Sequence, residues 1–330
     1  MRQLPVSYSV TSANALLKEI IPQFKILNVL HCEFWCQGLN DSYKVITTSD
    51  TFLLRIYRHN WRTLEEIKFE LDALLHVQKK GLYVAYPMVT HNGEYIVSIN
   101  APEGLRYAIL TRYIQGKELK FNSTENAALY GKYMAQLHLA SKQFSSEFQR
   151  FKLDVKHLIT EPLQRIKPFL KERGDDWAFI SNYAKTASLH LQQALNESQD
   201  LGFCHGDLHG GNAHYDGNKL AFFDFDCCGF GLRVYDLAVF KWALKQDKKE
   251  DEIWQAFLQR YLQYRPLNNN DLAMVDILVS IRQLWLMGLH IDIAIAKGWL
   301  DEHYFDQKIA FLREAQQTEK TLIKFNICGC

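Results

Sequence analysis

GFCHGDLHGGNAHYDGNKLAFFDFDCCGFG, residues 202–231, interrupts a chain that is otherwise helical in character from about Ala127 onward. Apolar residues recur at helical spacing over 127–142, 155–173 and 176–198 before it, and over 235–246, 251–264, 271–296 and 301–324 after it. The interruption is dense in Gly, Asp and Asn and carries two short apolar strand candidates, Ala213–Tyr215 and Leu220–Phe223, which break the helical rule. A polar, glycine-rich insertion on a rigid helical scaffold is where chemistry is expected, because loops held by regular elements carry function. Three oxygen-bearing side chains stand out in it: Asp207, Asn212 five positions later, and Asp224 after the predicted hairpin.

Upstream the pattern differs. ILNVLHCEF, YKVITT and TFLLRIYR, within residues 26–58, are rich in β-branched and aromatic residues and separated by QGLNDS and Ser49-Asp50, which is the signature of a meander. Thr63 with Glu66 makes a capping box ahead of an apolar helical pattern running to Val77. Two further strands are predicted at Tyr95–Ile99 and Tyr107–Thr111, the second running into a connector at Tyr113-Ile114-Gln115-Gly116. The expected architecture is α+β: an N-terminal lobe over 1–112 with an antiparallel sheet and one helix, and a mainly helical C-terminal lobe over 113–330.

Composition narrows the function classes. The 330 residues are 48% hydrophobic and 13% aromatic, with 38 Lys+Arg against 37 Asp+Glu, so no charge excess favours nucleic acid or an anionic membrane, and long disorder is not expected. No apolar run is read as approaching the roughly 20 residues of a membrane span, and the N-terminus turns polar before a secretory core forms; the expected location is the cytoplasm. The seven cysteines, Cys32, Cys36, Cys204, Cys227, Cys228, Cys328 and Cys330, are odd in number and lack zinc-knuckle spacing, so neither a disulfide framework nor a structural zinc is expected.

The Asp207-to-Asn212 spacing is that of the protein-kinase catalytic loop, and Asp224 follows a short hairpin as the D-F-G aspartate does. Phosphoryl transfer needs a carboxylate to take or orient the acceptor's proton and hard oxygen ligands to hold magnesium against the triphosphate. Asp207 is then the base, with Asn212 and Asp224 as magnesium ligands. His205-Gly206-Asp207-Leu208-His209 with Asn212, Asp224-Phe225-Asp226 and Tyr235-Asp236-Leu237-Ala238 together resemble the aminoglycoside phosphotransferase and choline kinase superfamily, with the type II homoserine kinases and the bacterial stress-response kinase most similar in motif. Gly206 stands where protein kinases have Arg, and Asp226 where they have Gly, which moves the match toward small-molecule kinases. The resemblance runs from about residue 25 to about 300.

It implies a protein-kinase-like bilobal fold, ATP and Mg2+, and a site between the lobes. Arg55 in TFLLRIYR takes the place of the phosphate-pairing cation and Glu70 that of its partner, while Gly38-Leu39-Asn40-Asp41-Ser42 is the phosphate-covering loop. Leu110-Thr111-Arg112-Tyr113 is the hinge whose backbone meets adenine. Asp236 braces the catalytic loop; His138 is structural, and His205 supports the loop backbone. Asp226 is either a second carboxylate near metal or acceptor or a hydrogen-bonding loop residue. His209 faces acceptor or solvent, and Arg282, Trp285 and His290 are candidates for acceptor contact or core. The activity implied is transfer of the γ-phosphate to a hydroxyl of a small molecule such as an aminoglycoside, choline or homoserine. A Ser/Thr protein kinase of the stress-response type and an inactive nucleotide-binding scaffold are the alternatives. Replacing Asp207 or Asp224 by Ala is expected to abolish turnover and leave the fold intact.

Overall fold

Alternation decides the first sheet. In β2 (Asp41–Thr47) the residues Asp41, Tyr43, Val45 and Thr47 are buried, and in β3 (Thr51–Ile56) Phe52, Leu54 and Ile56 are. The two-residue period of a strand therefore sends Arg55 to the face opposite that core. With β1 (Val29–Gln37), β4 (Ile96–Ala101) and β5 (Gly104–Arg112) they form an antiparallel sheet in the order β1-β2-β3-β5-β4. The Leu64–Lys79 helix lies between β3 and β4 in the chain. Its capping box is formed as read: Thr63 Oγ1 accepts from Glu66 N at 3.2 Å, and Glu66 Oε2 from Thr63 N at 2.8 Å. Ile67 and Leu71 of this helix pack with Tyr57 and Ile109.

A second apolar cluster joins Tyr43, Val45, Leu54, Ile56 and Leu110 to Leu16, Ile21 and Phe24. Leu16 and Ile21 belong to a succession of short helical turns over 13–23 that sequence reasoning missed, and Phe24 follows them in a bridge to Thr90; the Ser12 side chain at the N-cap position makes no capping hydrogen bond, and the stretch is broken into three short pieces. Within the same sheet Arg106 is fully buried against Asp41 at 2.7 Å and also donates to the carbonyls of Tyr57, at 2.9 Å, and Ser9, at 2.8 Å. A charge removed from water this completely is tolerated only with such a set of acceptors.

The computed structural model describes residues 4–247, 250–301 and 303–327. Cys328, Cys330 and part of the predicted 247–252 linker fall outside them. By contacts the chain divides into two compact units: residues up to Glu118 with Gln143–Arg150 and Ala213–Asp226, and Leu119–Lys142 with Phe151–Asn212 and the chain from Cys227 onward. A single cut after residue 112 does not reproduce these units. The reason is the hairpin of the polar insertion: its strand Ala213–Tyr215 pairs with both Leu220–Phe222 and Lys117–Glu118, and Phe222 bridges to Val84, so Asp224 and Asp226 belong to the sheet-bearing unit.

In the helical unit, Ser123 caps Thr124–Ala140, and Gly131 lies where a Cβ would stand 2.3 Å from the Phe257 carbonyl of the Glu250–Tyr264 helix, so only glycine allows that approach. Gly174–Glu197, Val234–Gln246 and Asp306–Ile327 appear where helical periodicity places them. The predicted 155–173 helix is instead a run of short pieces broken around Pro162 and Pro168. The 271–296 stretch resolves into Asn269–Leu289 and Ile291–Ala296, joined at His290.

The first of these helices corrects the expectation about apolar runs. It is long and apolar enough to cross a membrane, with a mean hydropathy of 1.6, yet 72% of that window is buried inside the protein, and Asp271, Arg282 and Gln283 are among the buried residues. It is a core helix.

Candidate active site

The helical unit builds the loop around Asp207. Strand Leu201–Cys204 pairs with Gly229–Leu232 and delivers the chain to His205. There Gly206 adopts φ +80°, and a Cβ would meet the Cys227 carbonyl at 2.1 Å, so glycine is required on both counts. Asp236, fully buried, accepts the backbone N–H of Gly206 on Oδ1 at 2.7 Å and that of His205 on Oδ2 at 2.8 Å. It thus holds the loop by its main chain. His138 lies 3.0 Å from Asp236 through Nε2 and 2.7 Å from the Tyr261 hydroxyl through Nδ1. Burial is the main influence on His138 and pushes its pKa down, against the hydrogen bond to Asp236. A neutral ring that donates from Nε2 and accepts on Nδ1 satisfies both partners.

The Asp207 carboxylate is held from two sides. Asn212 Nδ2 donates to Oδ2 at 3.0 Å and to the Asp207 carbonyl at 2.9 Å, which leaves the Asn212 carbonyl oxygen as the donor atom for a cation. His209 approaches Oδ2 with Nε2 at 3.6 Å while its Nδ1 accepts from Gly211 N at 3.1 Å. His205 Nδ1 accepts from Asp207 N at 3.3 Å, a backbone-supporting contact.

Oδ1 is taken by Arg282 Nη2 of the Asn269–Leu289 helix, and Arg282 Nη1 donates to the Gly206 carbonyl at 3.2 Å. Burial works against the Arg282 charge, and Asp207 outweighs it, so the guanidinium is held more firmly protonated than a free one. Trp285, one turn on and itself buried, has its ring 4.6 Å from that guanidinium. Of the three candidates for acceptor contact, Arg282 is thus engaged with the Asp207 carboxylate and Trp285 with that guanidinium. His290, by contrast, is exposed at the junction of the two helices.

The sheet-bearing unit holds the other group. Arg55 Nη1 donates to Glu70 Oε1 at 2.8 Å and its Nη2 to Asp224 Oδ1 at 2.9 Å, while the Tyr57 hydroxyl donates to Glu70 Oε2 at 2.8 Å. Arg55 and Glu70, fifteen positions apart, meet because an outward strand position and a buried helix position face each other. Burial opposes the Arg55 charge, but Asp224 and Glu70 overcome it and hold the guanidinium well into its protonated range. Asp224 is nearly half exposed and has φ +64°, an uncommon left-handed conformation that Asp tolerates better than most residues.

Several expected contacts fall differently. Asp226 is 3% exposed, and its carboxylate accepts from Trp61 Nε1 at 2.7 Å, Arg62 Nε at 3.0 Å and Asn40 Nδ2 at 3.2 Å, while Arg62 and Arg150 bond its carbonyl. Burial alone would raise its pKa; Arg62, Arg55 and Arg150 pull it below the usual carboxylate value. Of its two expected roles it takes the hydrogen-bonding one, and neither oxygen is offered to a metal. Asn40, expected to cover phosphate, is instead part of this network and also accepts from Arg58 N at 3.1 Å. Gly38 N donates to the Asn40 carbonyl at 3.0 Å in the β1–β2 turn, and Ser42 stands in β2 opposite Arg55.

At the expected hinge, Arg112 N donates to the Tyr86 carbonyl at 3.0 Å and Tyr113 N to the Thr51 carbonyl at 3.1 Å, and Thr111 Oγ1 bonds the Leu53 carbonyl at 3.4 Å. These three donors are engaged with the Tyr86 carbonyl and with carbonyls of β3. Arg62, Trp61, Arg106 and Arg150 went unread because isolated cations and one Trp give no spacing signal; only the fold brings them together.

The phosphotransferase enzyme family model matches residues 37–268. The chain is 36% identical to an uncharacterized protein of Deinococcus radiodurans, covering 96% of this chain and 93% of that one. It is 28% identical to the homoserine kinase of Neisseria meningitidis over 72% of this chain and 75% of that one. Among solved structures, an amicoumacin kinase in complex with AMP-PNP, Ca2+ and Ami superposes with a TM-score of 0.73 at 19% identity, covering 94% of each chain. The fold is kinase-like, and the chain belongs to the phosphotransferase enzyme family.

Proposed function

We propose that this protein transfers the γ-phosphate of ATP, with Mg2+, to a hydroxyl of a small molecule. The observation that carries the reading is the Arg55 fork: one arm on Glu70 at 2.8 Å, the other on Asp224 at 2.9 Å, which sets a phosphate-binding cation beside a half-exposed carboxylate in one compact unit. In the other unit, Asp207 carries the base and Asn212 a carbonyl oxygen of the hard type that magnesium takes. Each donor is of a type magnesium takes: Asp224 offers a carboxylate in the sheet-bearing unit and Asn212 a carboxamide oxygen in the helical one. When bound, Mg2+ neutralises charge on the phosphates.

The chain's own residues do the rest. Asp207 accepts the hydrogen bond of the acceptor hydroxyl and orients its oxygen for in-line attack, taking the proton as the bond to phosphorus forms and the bond to ADP breaks. Arg55 binds phosphate oxygens, and Glu70 with Tyr57 keeps its fork from swinging. Asp236 and Asn212 keep the loop of Asp207 from relaxing. Catalysis of this kind is mostly positioning and electrostatics. The homoserine kinase and amicoumacin kinase relatives support a hydroxyl-bearing small molecule as acceptor.

The test is ADP release with Mg-ATP across amino alcohols, hydroxy amino acids, sugars and aminoglycosides, beside generic protein substrates, for wild type and Asp224→Ala. Acceptor-dependent release lost in Asp224→Ala supports the proposal; phosphate appearing only in protein substrates overturns the small-molecule acceptor.

A further inference from the structure

The middle of the Asn269–Leu289 helix is unusual for what it contains. Every residue from Leu278 through Gly288 is buried, and all but Ser280, Arg282 and Gln283 are apolar or glycine. An arginine in such a position is unfavourable unless fully compensated, and a hydrophobic residue of similar volume is often at least as stable there. Arg282 is not fully compensated. Its Nη atoms reach Asp207 Oδ1 and the Gly206 carbonyl, but its buried Nε has no hydrogen-bond partner among the described residues. Two indole rings, Trp285 at 4.6 Å and Trp242 at 5.8 Å, flank the guanidinium. Trp242 is itself held by Gln283 through a 2.8 Å bond from its Nε1. The side chain is aimed and clamped, at a residual cost in unsatisfied polarity, onto one oxygen of one carboxylate.

A residue that stabilises the fold poorly but fixes the reacting carboxylate is a mark of a functional constraint. We infer that Arg282 is the positioning residue of the phosphate transfer: it locks the Asp207 carboxylate by Oδ1 so that Oδ2, shared with Asn212, faces the acceptor hydroxyl. This rests on the reading of Asp207 as the base. Arg282 supplies no proton; it sets the direction in which Asp207 accepts one. Nothing in the spacing of the sequence links two residues 75 positions apart.

The experiment compares wild type with Arg282→Met, Arg282→Lys and Arg282→Ala for kcat, KM for ATP and unfolding temperature. Arg282→Met is expected to lower kcat about 10- to 100-fold, the scale of a misplaced reacting group, with KM for ATP within twofold and an unfolding temperature at or above that of wild type. Arg282→Lys, which keeps charge without the fork, should recover only part of kcat. In Arg282→Ala, millimolar guanidinium should restore kcat severalfold, and urea, similar in shape but neutral, should not. A kcat for Arg282→Met within threefold of wild type overturns the inference while wild-type turnover upholds the kinase reading. Equal rescue by urea and guanidinium, or loss of kcat that only follows a lowered unfolding temperature, also overturns it. A wild type silent with every acceptor overturns the kinase reading and this inference with it.

Discussion

Removing the Asp207 carboxylate will destabilise the protein as well as inactivate it, which revises the expectation that Asp207→Ala leaves the fold intact. Arg282 is 3% exposed and Asp207 20% exposed in their side chains. Truncation leaves a buried guanidinium with the Gly206 carbonyl at 3.2 Å and the Tyr235 side chain beside it, and takes from Asn212 one of its two acceptors. Breaking a buried ion pair from one side costs about 3–5 kcal/mol; because water reaches the Asp207 position, about 2–4 kcal/mol is expected here. At roughly 2–4 °C per kcal/mol for a unit of this size, the midpoint should fall by about 5–15 °C.

Asp207→Asn keeps an acceptor oxygen toward Arg282 and should lose only about 1–2 kcal/mol, the difference between a charge-assisted and a neutral hydrogen bond. The double variant Asp207→Ala/Arg282→Met removes the orphaned charge and should return to within about 1 kcal/mol of wild type. Urea unfolding followed by circular dichroism on wild type, Asp207→Ala, Arg282→Met and the double variant completes a double-mutant cycle. The reasoning is refuted if Asp207→Ala unfolds at the wild-type midpoint, or if the double variant is as unstable as the two singles added together. For activity work Asp207→Asn is therefore the cleaner substitution.

Other consequences are as direct. Asp226→Ala removes the carboxylate paired with the buried Arg62, leaving it the main-chain carbonyl, and the acceptor of Trp61, so it should cost about 3–5 kcal/mol, measured by urea midpoint; a loss under 1 kcal/mol contradicts the network. Gly206→Ala forces a side chain into φ +80° and into the Cys227 carbonyl, and should abolish turnover through a displaced loop, with the main readout kcat and not KM for ATP. His138 is held neutral by burial, so its folded pKa lies below the unfolded value of about 6.5. The unfolded chain then binds the extra proton between those two values. The stability it contributes is fully present above about pH 6.5 and is lost as pH falls from there through the folded pKa, with a slope of up to about 1.4 kcal/mol per pH unit. His138→Asn should flatten that part of the stability–pH curve, and an unchanged slope would exclude His138 as its source.

The parts of the site that sequence made legible are those with local spacing or period. Asp207 with Asn212, the hairpin to Asp224, the capping box at Thr63 and the outward Arg55 in a strand of alternating burial all follow from rules acting within a few residues. Glu70 was placed only by the family resemblance, as the partner of Arg55; its burial on the Leu64–Lys79 helix appears in the structure. What stayed hidden depends on long-range partners. For Asp226 the sequence leaves two roles open, near metal or acceptor or hydrogen-bonding in the loop, and only Trp61, Arg62 and Asn40, from 164 to 186 positions away, decide for the second. Arg282 reads as a candidate for acceptor contact or core, and only the fold shows that it bonds Asp207. The Asn269–Leu289 helix exposes a further limit: its composition alone suits a membrane, and only the partners of its buried Arg282 and Gln283 show that it is a core element.

The central claim is tested most directly by following ADP and phosphorylated acceptor together, with Mg-ATP and a panel of small hydroxyl compounds, for wild type and Asp207→Asn. The account predicts stoichiometric, magnesium-dependent appearance of both products with at least one acceptor class in wild type, and a drop of at least about a hundredfold in Asp207→Asn with its unfolding midpoint lowered only modestly. Turnover that survives in Asp207→Asn, or the absence of any acceptor-dependent ADP from wild type, would contradict it.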